Sequence, residues 1–359
     1  MIIEGQGNML VADVEALVNT VNTVGVMGKG IALQFKRAFP DNYRDYRAAC
    51  ERGEVRLGKM FVVDRGVMGR HRYLVNFPTK GHWRTASRIA DIETGLADLI
   101  DVVQRLGITS MAIPALGCGN GGLNWEDVRP RIEDAFAGLP DVRVIVFPPH
   151  GAPDPAGMPV ATTRPDMTLA RAGLLTAMAQ YTRMARLLEP REGISELEIQ
   201  KLTYLLQILG MPSRLTFVTG RYGPYAEELH YVLQGFEGHQ IIGYGDRSAR
   251  VSDLQPILLT DGVEAEAWSF LAEDPSSKAR LDRLTELVEG FETPYGMELL
   301  ATVHFVAHES PPTRSPVALN ERVADWSSRK AKLFTPFHVG AATKRLLRFD
   351  LLPEEHLSR

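Results

Sequence analysis

The sequence predicts an α/β N-terminal domain with a mixed, mostly parallel sheet, followed by a mainly helical (α+β) second domain. Three observations lead there. Short apolar runs alternate with helical patterns over the first 150 residues; a Pro-, Gly- and Ala-crowded stretch without apolar period, Pro148 to Met167, interrupts the chain; and helical spacing dominates beyond it. At 359 residues the chain exceeds what one core usually organises, so separate cores are expected over residues 1–150 and 169–359, joined by a linker over 151–168.

In chain order, a first strand ends at "GNM", Gly7 to Met9. "ALVNTV" from Ala16, "MFVVD" from Met60, "RYLVNFP" from Arg72, "SMAIPAL" from Ser110 and "VRVIVFP" from Val142 read as buried strands. Between them "GIALQFKRAF" and "SRIADIETGLADLIDVVQRLG" place apolar residues three and four apart, as core-facing helices do. In the second half "LARAGLLTAMAQYTRMARLL", "ISELEIQKLTYLLQILG", "YAEELHYVLQGFEG" and "SSKARLDRLTELVEGF" have the same period, and "RLTFVTGRYGPYAEELH" predicts a short strand or hairpin before a helix. Ser195 and Gly210 are the cap signals of the helix preceding that hairpin.

Composition narrows the function classes. Hydrophobic content of 45% and charge of 23%, with no apolar run as long as a membrane span and no signal-like start, predict a soluble cytoplasmic protein without a membrane partner. Two cysteines, Cys50 and Cys118, are too few for a disulfide framework or a thiolate zinc site, so no metal is expected. Charges balance through residue 155, and the net −4 lies entirely in the remainder of the chain. An acidic second half is either a solvated face or a surface that meets a basic partner.

Two glycine-rich loops come after strands: "GVMGKG", Gly25 to Gly30, and "GCGNGG", Gly117 to Gly122. Ligands of such folds collect at the carboxyl ends of the strands, and backbone N–H groups approach an anion closely where no Cβ intervenes. Two tight turns would explain the glycines equally well; as a pair at strand ends they suit a diphosphate. "GKGI" lacks the spacer and hydroxyl residue of a nucleotide-hydrolase loop, and "GCGNGG" does not open a first βα unit of the dinucleotide type.

Taken together, "GNMLVADVEALVNTVNTVGVMGKGIALQFKRAFP", "FPTKGHWR" and "PALGCGNGGLNW" resemble a macrodomain, the ADP-ribose-binding α/β/α fold, over residues 1 to about 150. Within macrodomains they are similar to the DarG branch, antitoxins that remove ADP-ribose from thymidine in DNA. The resemblance implies no cofactor and assigns site residues. Asn8 and Met9 would meet the adenine, where an Asp is common at the first position; Asn8 keeps an acceptor and loses the charge. Asn19, Thr20 and Asn22 fall beside the distal ribose, Asn19 being equally readable as a structural asparagine. Gly28, Lys29, Gly30 and Ile31 would wrap the ribose and one phosphate, and Pro114, Ala115, Leu116, Gly117, Cys118, Gly119, Asn120 and Gly121 the other. Cys118 has no neighbouring His in sequence and reads as a small residue between glycines. Phe147 would cover the adenine or simply end an apolar strand.

The resemblance assigns catalysis to Lys80, which from composition alone would be a solvated charge, with Asn22 as its companion orienting the sugar or a water. Two roles stay open for Lys80. As a cation it would protonate or stabilise the departing thymine; as a neutral amine it would attack the anomeric carbon or trap the opened sugar, with Lys29 and Arg84 as cations able to depress its pKa. His82 and Trp83 supply a stacking surface for a flipped or single-stranded base, unless Trp83 plugs its loop onto the core. Arg84 and Arg88 add a local basic rim to a domain too neutral for strong nonspecific DNA binding.

In the second half "EIQKLTYLLQ" and "GRYGPYAEELHYVLQ" resemble the SocA-like (Panacea) antitoxin domains. This implies a toxin-binding module, here for a DarT-type DNA ADP-ribosyltransferase. His304 and His308 have the spacing of two ligands on one helix face, but the glutamate of the metalloprotease pattern is absent and ordinary helix histidines suffice. Two functions therefore compete: a thymidine–ADP-ribose glycohydrolase that also binds its toxin, and a noncatalytic reader of ADP-ribosylated DNA fused to the same module. Deacetylation of O-acetyl-ADP-ribose would share the pocket.

Overall fold

Alternation along one strand sets the layers of the N-terminal unit. In β2 (Ala16–Asn22), Ala16 and Val18 point to one face of the sheet, while Leu17, Asn19 and Val21 point to the other. The first face is covered by α3 (Ile89–Leu106) and α4 (Trp125–Phe136). The second face is covered by α1 (Gly30–Ala38) and α2 (Pro40–Glu51), giving the three-layer α/β/α arrangement. The computed structural model describes residues 1–66, 70–149, 151, 153–247 and 251–354.

The sheet adds β1 (Ile2–Glu4), β3 (Phe61–Asp64), β4 (Tyr73–Lys80), β5 (Ser110–Pro114) and β6 (Arg143–Phe147), in the order β1-β6-β5-β2-β4-β3. Every pairing is parallel except β3 with β4, so the sheet is mixed and mostly parallel as expected. The chain passes from β2 outward to β3 and β4, then crosses back over β2 to β5. Loops leaving β2, β4 and β5 therefore meet at one edge of the sheet, at the point where the strand order reverses.

Packing explains individual residues. Gly95 lets α3 lie on the Phe77 ring, since a Cβ there would come within 2.3 Å of it. Helices α2 and α4 escaped the periodicity reading. The first begins with Pro40 at its first turn; the second is capped by Asn124, whose side chain accepts from the Glu126 N–H. The "GNM" stretch lies beyond β1, which stops at Glu4, and Asn8 caps a 3₁₀ turn, Met9–Val11.

The chain divides into two compact units, Met1–Thr163 with Gly245–Ser248, and Arg164–Tyr244 with Ala249–Arg359. Much of the stretch expected as linker therefore belongs with the N-terminal unit. Asp154 caps a 3₁₀ turn at Pro155–Gly157, Met158 packs on the core, and the Ala161 N–H donates to the Arg37 carbonyl. His150 and Ala152 in this stretch lie outside the described residues.

The second unit is built on helices. Among the described residues it holds α5 (Leu169–Leu188), α6 (Glu196–Ile208), α7 (Leu229–Phe236), α8 (Val263–Leu271), α9 (Pro275–Val288), α10 (Pro294–Ala307), α11 (Pro316–Trp326), α12 (Ser328–Leu333) and α13 (Pro336–Arg348). Ser195 and Glu198 form a capping box at the start of α6, and Gly210, with φ +89°, ends it. The expected hairpin is β7 (Val218–Gly220) with β8 (Gly223–Tyr225). Its turn is locked to α6: Gln200 exchanges two hydrogen bonds with the Ala226 backbone, and the Lys201 Nζ donates to the Pro224 carbonyl at 2.7 Å. The two sequence stretches that suggested an antitoxin domain thus meet in space.

Candidate functional site

The three loops converge around Lys80. Register pairs Asn22 with Lys80 at the ends of β2 and β4, and the Lys80 Nζ reaches across β2 to donate to the Asn120 carbonyl at 2.8 Å and the Trp83 carbonyl at 3.3 Å. One of its three donors stays unspent. Burial lowers its pKa and is the one cause of that shift, so Lys29 and Arg84 do not depress it as the sequence had suggested. Lys29 is exposed at the start of α1, and Arg84 lies over the Trp83 ring instead, 4.4 Å from its centroid.

The β5 loop presents a row of donors. Among the described residues the N–H groups of Gly119, Asn120 and Gly121 make no hydrogen bond within the chain, although Gly122 and Leu123 turn back to the Gly119 and Gly117 carbonyls. Gly117 needs its φ of +71° and a Cβ there would press on Leu123, while a Cβ on Gly121 would strike the Gly117 carbonyl at 2.4 Å. The loop is clamped from outside by Lys80 on Asn120 and by the Ser87 N–H on the Gly121 carbonyl, 2.9 Å. Pro114 and Leu116 are buried and Ala115 is half-buried. Cys118 is half-buried, its thiol is pushed up to about 11 by burial and then by Asp127, and its Sγ faces the Leu116 carbonyl. That is an inert thiol.

Two asparagines of β2, Asn19 and Asn22, bond to neighbouring parts of the unit. Asn19 is fully buried; its Nδ2 donates to Asn76, which is bonded in turn to Asn42 of α2, while its Oδ1 has no partner among the described residues. The Asn22 carboxamide is spent on its own loop. Its Oδ1 accepts from the Val24 and Val26 N–H groups, and its Nδ2 donates to the Val26 carbonyl at 2.6 Å. Asn22 shapes the loop that leads to Gly28, and one of the two N–H donors of its carboxamide is used in doing so. Thr20 is half-buried in β2, and Gly28 and Ile31 are half-exposed along the loop and the first turn of α1. The Gly30 N–H donates to the Asp246 carbonyl of the same compact unit, so this donor is already engaged.

Elsewhere on this unit Asn8 accepts from the Leu10 N–H at 2.9 Å, Met9 is core, and Phe147 packs in the same cluster with its ring against Gly5. His82 and Trp83 are exposed and stacked on one another, ring centroids 5.3 Å apart, with Trp83 45% exposed. That degree of exposure suits a platform rather than a plug. Ser87 carried no sequence signal beyond its place near the "KGHWR" segment, yet it lies buried beneath the glycine loop.

No group of His, Cys, Asp or Glu able to hold a metal occurs among the described residues. His304 is buried, bonded to the Tyr204 hydroxyl and stacked on His308, an ordinary helix pair. Among the described residues no helix is long and apolar enough to cross a membrane.

Residues 18–132 match the Macro domain family. Over 353 residues the chain is 47% identical to a DNA ADP-ribosyl glycohydrolase of Mycobacterium tuberculosis, covering 97% of this chain and 99% of that protein. A DNA ADP-ribosyl glycohydrolase of Thermus aquaticus is 47% identical over 356 residues, 99% of this chain and 95% of its own. A DNA ADP-ribosyl transferase-DNA ADP-ribosyl glycohydrolase fusion protein of Thermosipho africanus is 38% identical over 140 residues, 35% of this chain and 36% of the fusion.

Proposed function

The chain belongs to the family of DNA ADP-ribosyl glycohydrolases, and from that premise we propose that its N-terminal unit hydrolyses the N-glycosidic link between ADP-ribose and thymidine in single-stranded DNA. The observation that supports this reading best is the Lys80 ammonium, held 2.8 Å from the carbonyl of a loop whose row of three N–H donors is open. The open donors suit a diphosphate, and the lysine suits the departing base.

In this reading the row Gly119–Gly121 cradles one phosphate while Gly28 and Lys29 approach the other, with the distal ribose above Asn22. Water attacks the anomeric carbon and releases one of its protons to solvent, the carbon–nitrogen bond breaks, and its electron pair passes to the imide nitrogen of thymine. Lys80 meets that developing anion as a cation and gives it a proton, later regained from solvent. Its two carbonyl partners fix the ammonium without neutralising it, which favours the cationic role over the nucleophilic one. Asn22 positions the loop, and Trp83 with His82 stacks the flanking bases.

The second unit binds the cognate DarT-type transferase in this proposal. Support comes from the Thermosipho africanus relative, in which a transferase is fused to a glycohydrolase, and from the acidic balance beyond residue 155. We place both partners in the cytoplasm. The test is to incubate the full-length protein with an oligonucleotide carrying ADP-ribosylated thymidine. Release of ADP-ribose is expected; binding without release would leave a noncatalytic reader, and acetate release from O-acetyl-ADP-ribose alone would indicate a deacetylase.

A further inference from the structure

The stretch between β6 and Arg164 lies outside the matched region 18–132, yet it is anchored at two places on the N-terminal unit. Asp154 Oδ1 accepts from the Ala156 N–H and starts the 3₁₀ turn. The Gly157 carbonyl then accepts from Asn8 Nδ2 at 3.2 Å, and the Met158 Sδ lies 3.4 Å from the same nitrogen. The Met158 side chain packs in one cluster with Met9, Leu10, Phe35 and Phe147. Three residues on, the Ala161 N–H donates to the Arg37 carbonyl, satisfying one of the last carbonyls of α1 at 2.9 Å. Asn8 is therefore a clamp: its oxygen holds the Leu10 N–H of its own loop, and its nitrogen holds the strap.

We propose that the strap from Asp154 to Ala161 is a built wall of the ADP-ribose site, in which Gly157 and Met158 are positioning residues that fix the Asn8–Leu10 loop at the base-binding end. This rests on the reading of the site given under Proposed function, with the adenine end at Asn8 and Met9 where the resemblance puts it. It also accounts for Asn at position 8. A carboxylate there would set an acceptor against the Gly157 carbonyl, lone pair to lone pair, and release the strap. An aspartate contacting adenine directly would instead be welcome.

Asn8→Asp thus separates the two arrangements by sign. In the full-length protein, titration with ADP-ribose should show about tenfold weaker binding for Asn8→Asp and for Met158→Ala, the scale of one lost hydrogen bond or buried contact. With ADP-ribosylated oligonucleotide both variants should raise KM while kcat stays within about twofold, the pattern of lost uniform binding. Saturating ADP-ribose should slow protease cleavage within the strap of the wild type and not of Asn8→Asp. Should Asn8→Asp fail to fold, Met158→Ala supplies the same comparison. Unchanged or tighter binding by these variants overturns the strap alone, whereas a wild type that binds no ADP-ribose overturns the site reading and the strap with it.

Discussion

Gly121 and Gly119 sit two residues apart in one loop and should lose different properties on substitution by alanine. At Gly121 the new Cβ would lie 2.3 Å from Ser87 Oγ and 2.4 Å from the Gly117 carbonyl, roughly 1 Å inside normal contact. The serine can rotate, but the carbonyl is held by the Leu123 N–H at 3.0 Å, so the loop itself must move. Such overpacking costs about 1–3 kcal/mol of stability. The moving peptide also carries the Asn120 carbonyl that anchors Lys80, and a misplacement of about 1 Å is enough to cost roughly 100-fold in rate. At Gly119 a Cβ meets nothing within 4 Å, so stability should hold within about 0.5 kcal/mol. That methyl would project from the exposed donor row. Differential scanning calorimetry and ADP-ribose titration distinguish the two: Gly121→Ala should lose both stability and rate, Gly119→Ala only ligand affinity. The packing argument is refuted by an unshifted melting temperature in Gly121→Ala, and the diphosphate assignment by wild-type affinity in Gly119→Ala.

Three further outcomes are expected. Trp83→Ala should weaken binding of ADP-ribosylated single-stranded DNA by about 1–3 kcal/mol, the worth of one stacked base, while free ADP-ribose affinity and melting temperature stay unchanged; a lowered melting temperature would mean that the ring braces its loop. Charge reversal at Glu227 and Glu228, which are exposed at the start of α7, should weaken capture of the transferase in a pull-down or titration if the acidic helices occupy a basic groove, and unchanged affinity would discard that idea. His304 is held down to about 3 by burial and then by His308, against 6.5 when unfolded. Between those values the unfolded chain binds a proton that the native unit does not, so stability is fully present above pH 6.5 and falls as pH drops toward 3. Acid melting curves should show this slope in the wild type and a shallower one in His304→Leu.

Much of the N-terminal unit was legible because its strands are short, buried and separated by clear helical periods, as in "ALVNTV" and "RYLVNFP". Helices α2 and α4 were missed because their exposed faces dilute the apolar period, though Pro40 and the Asn124 cap were available signals. Lys80 and the donor row could be located through motifs that resemble a known family. The partner of Asn19 could not, because Asn76 lies 57 residues away in sequence. The strap failed for a similar reason: Pro and Gly predict an irregular path, and only the contacts of Met158 and Ala161 reveal that the path is docked.

In the proposed reaction Lys80 acts on the leaving base and does not merely hold the ligand. Single-turnover release of ADP-ribose from modified single-stranded DNA, with wild type and Lys80→Ala both saturating, tests it most directly. The rate should fall by about 100- to 10,000-fold in the variant, the range for a removed general acid, with ADP-ribose affinity preserved. A variant that releases ADP-ribose at the wild-type rate would contradict it.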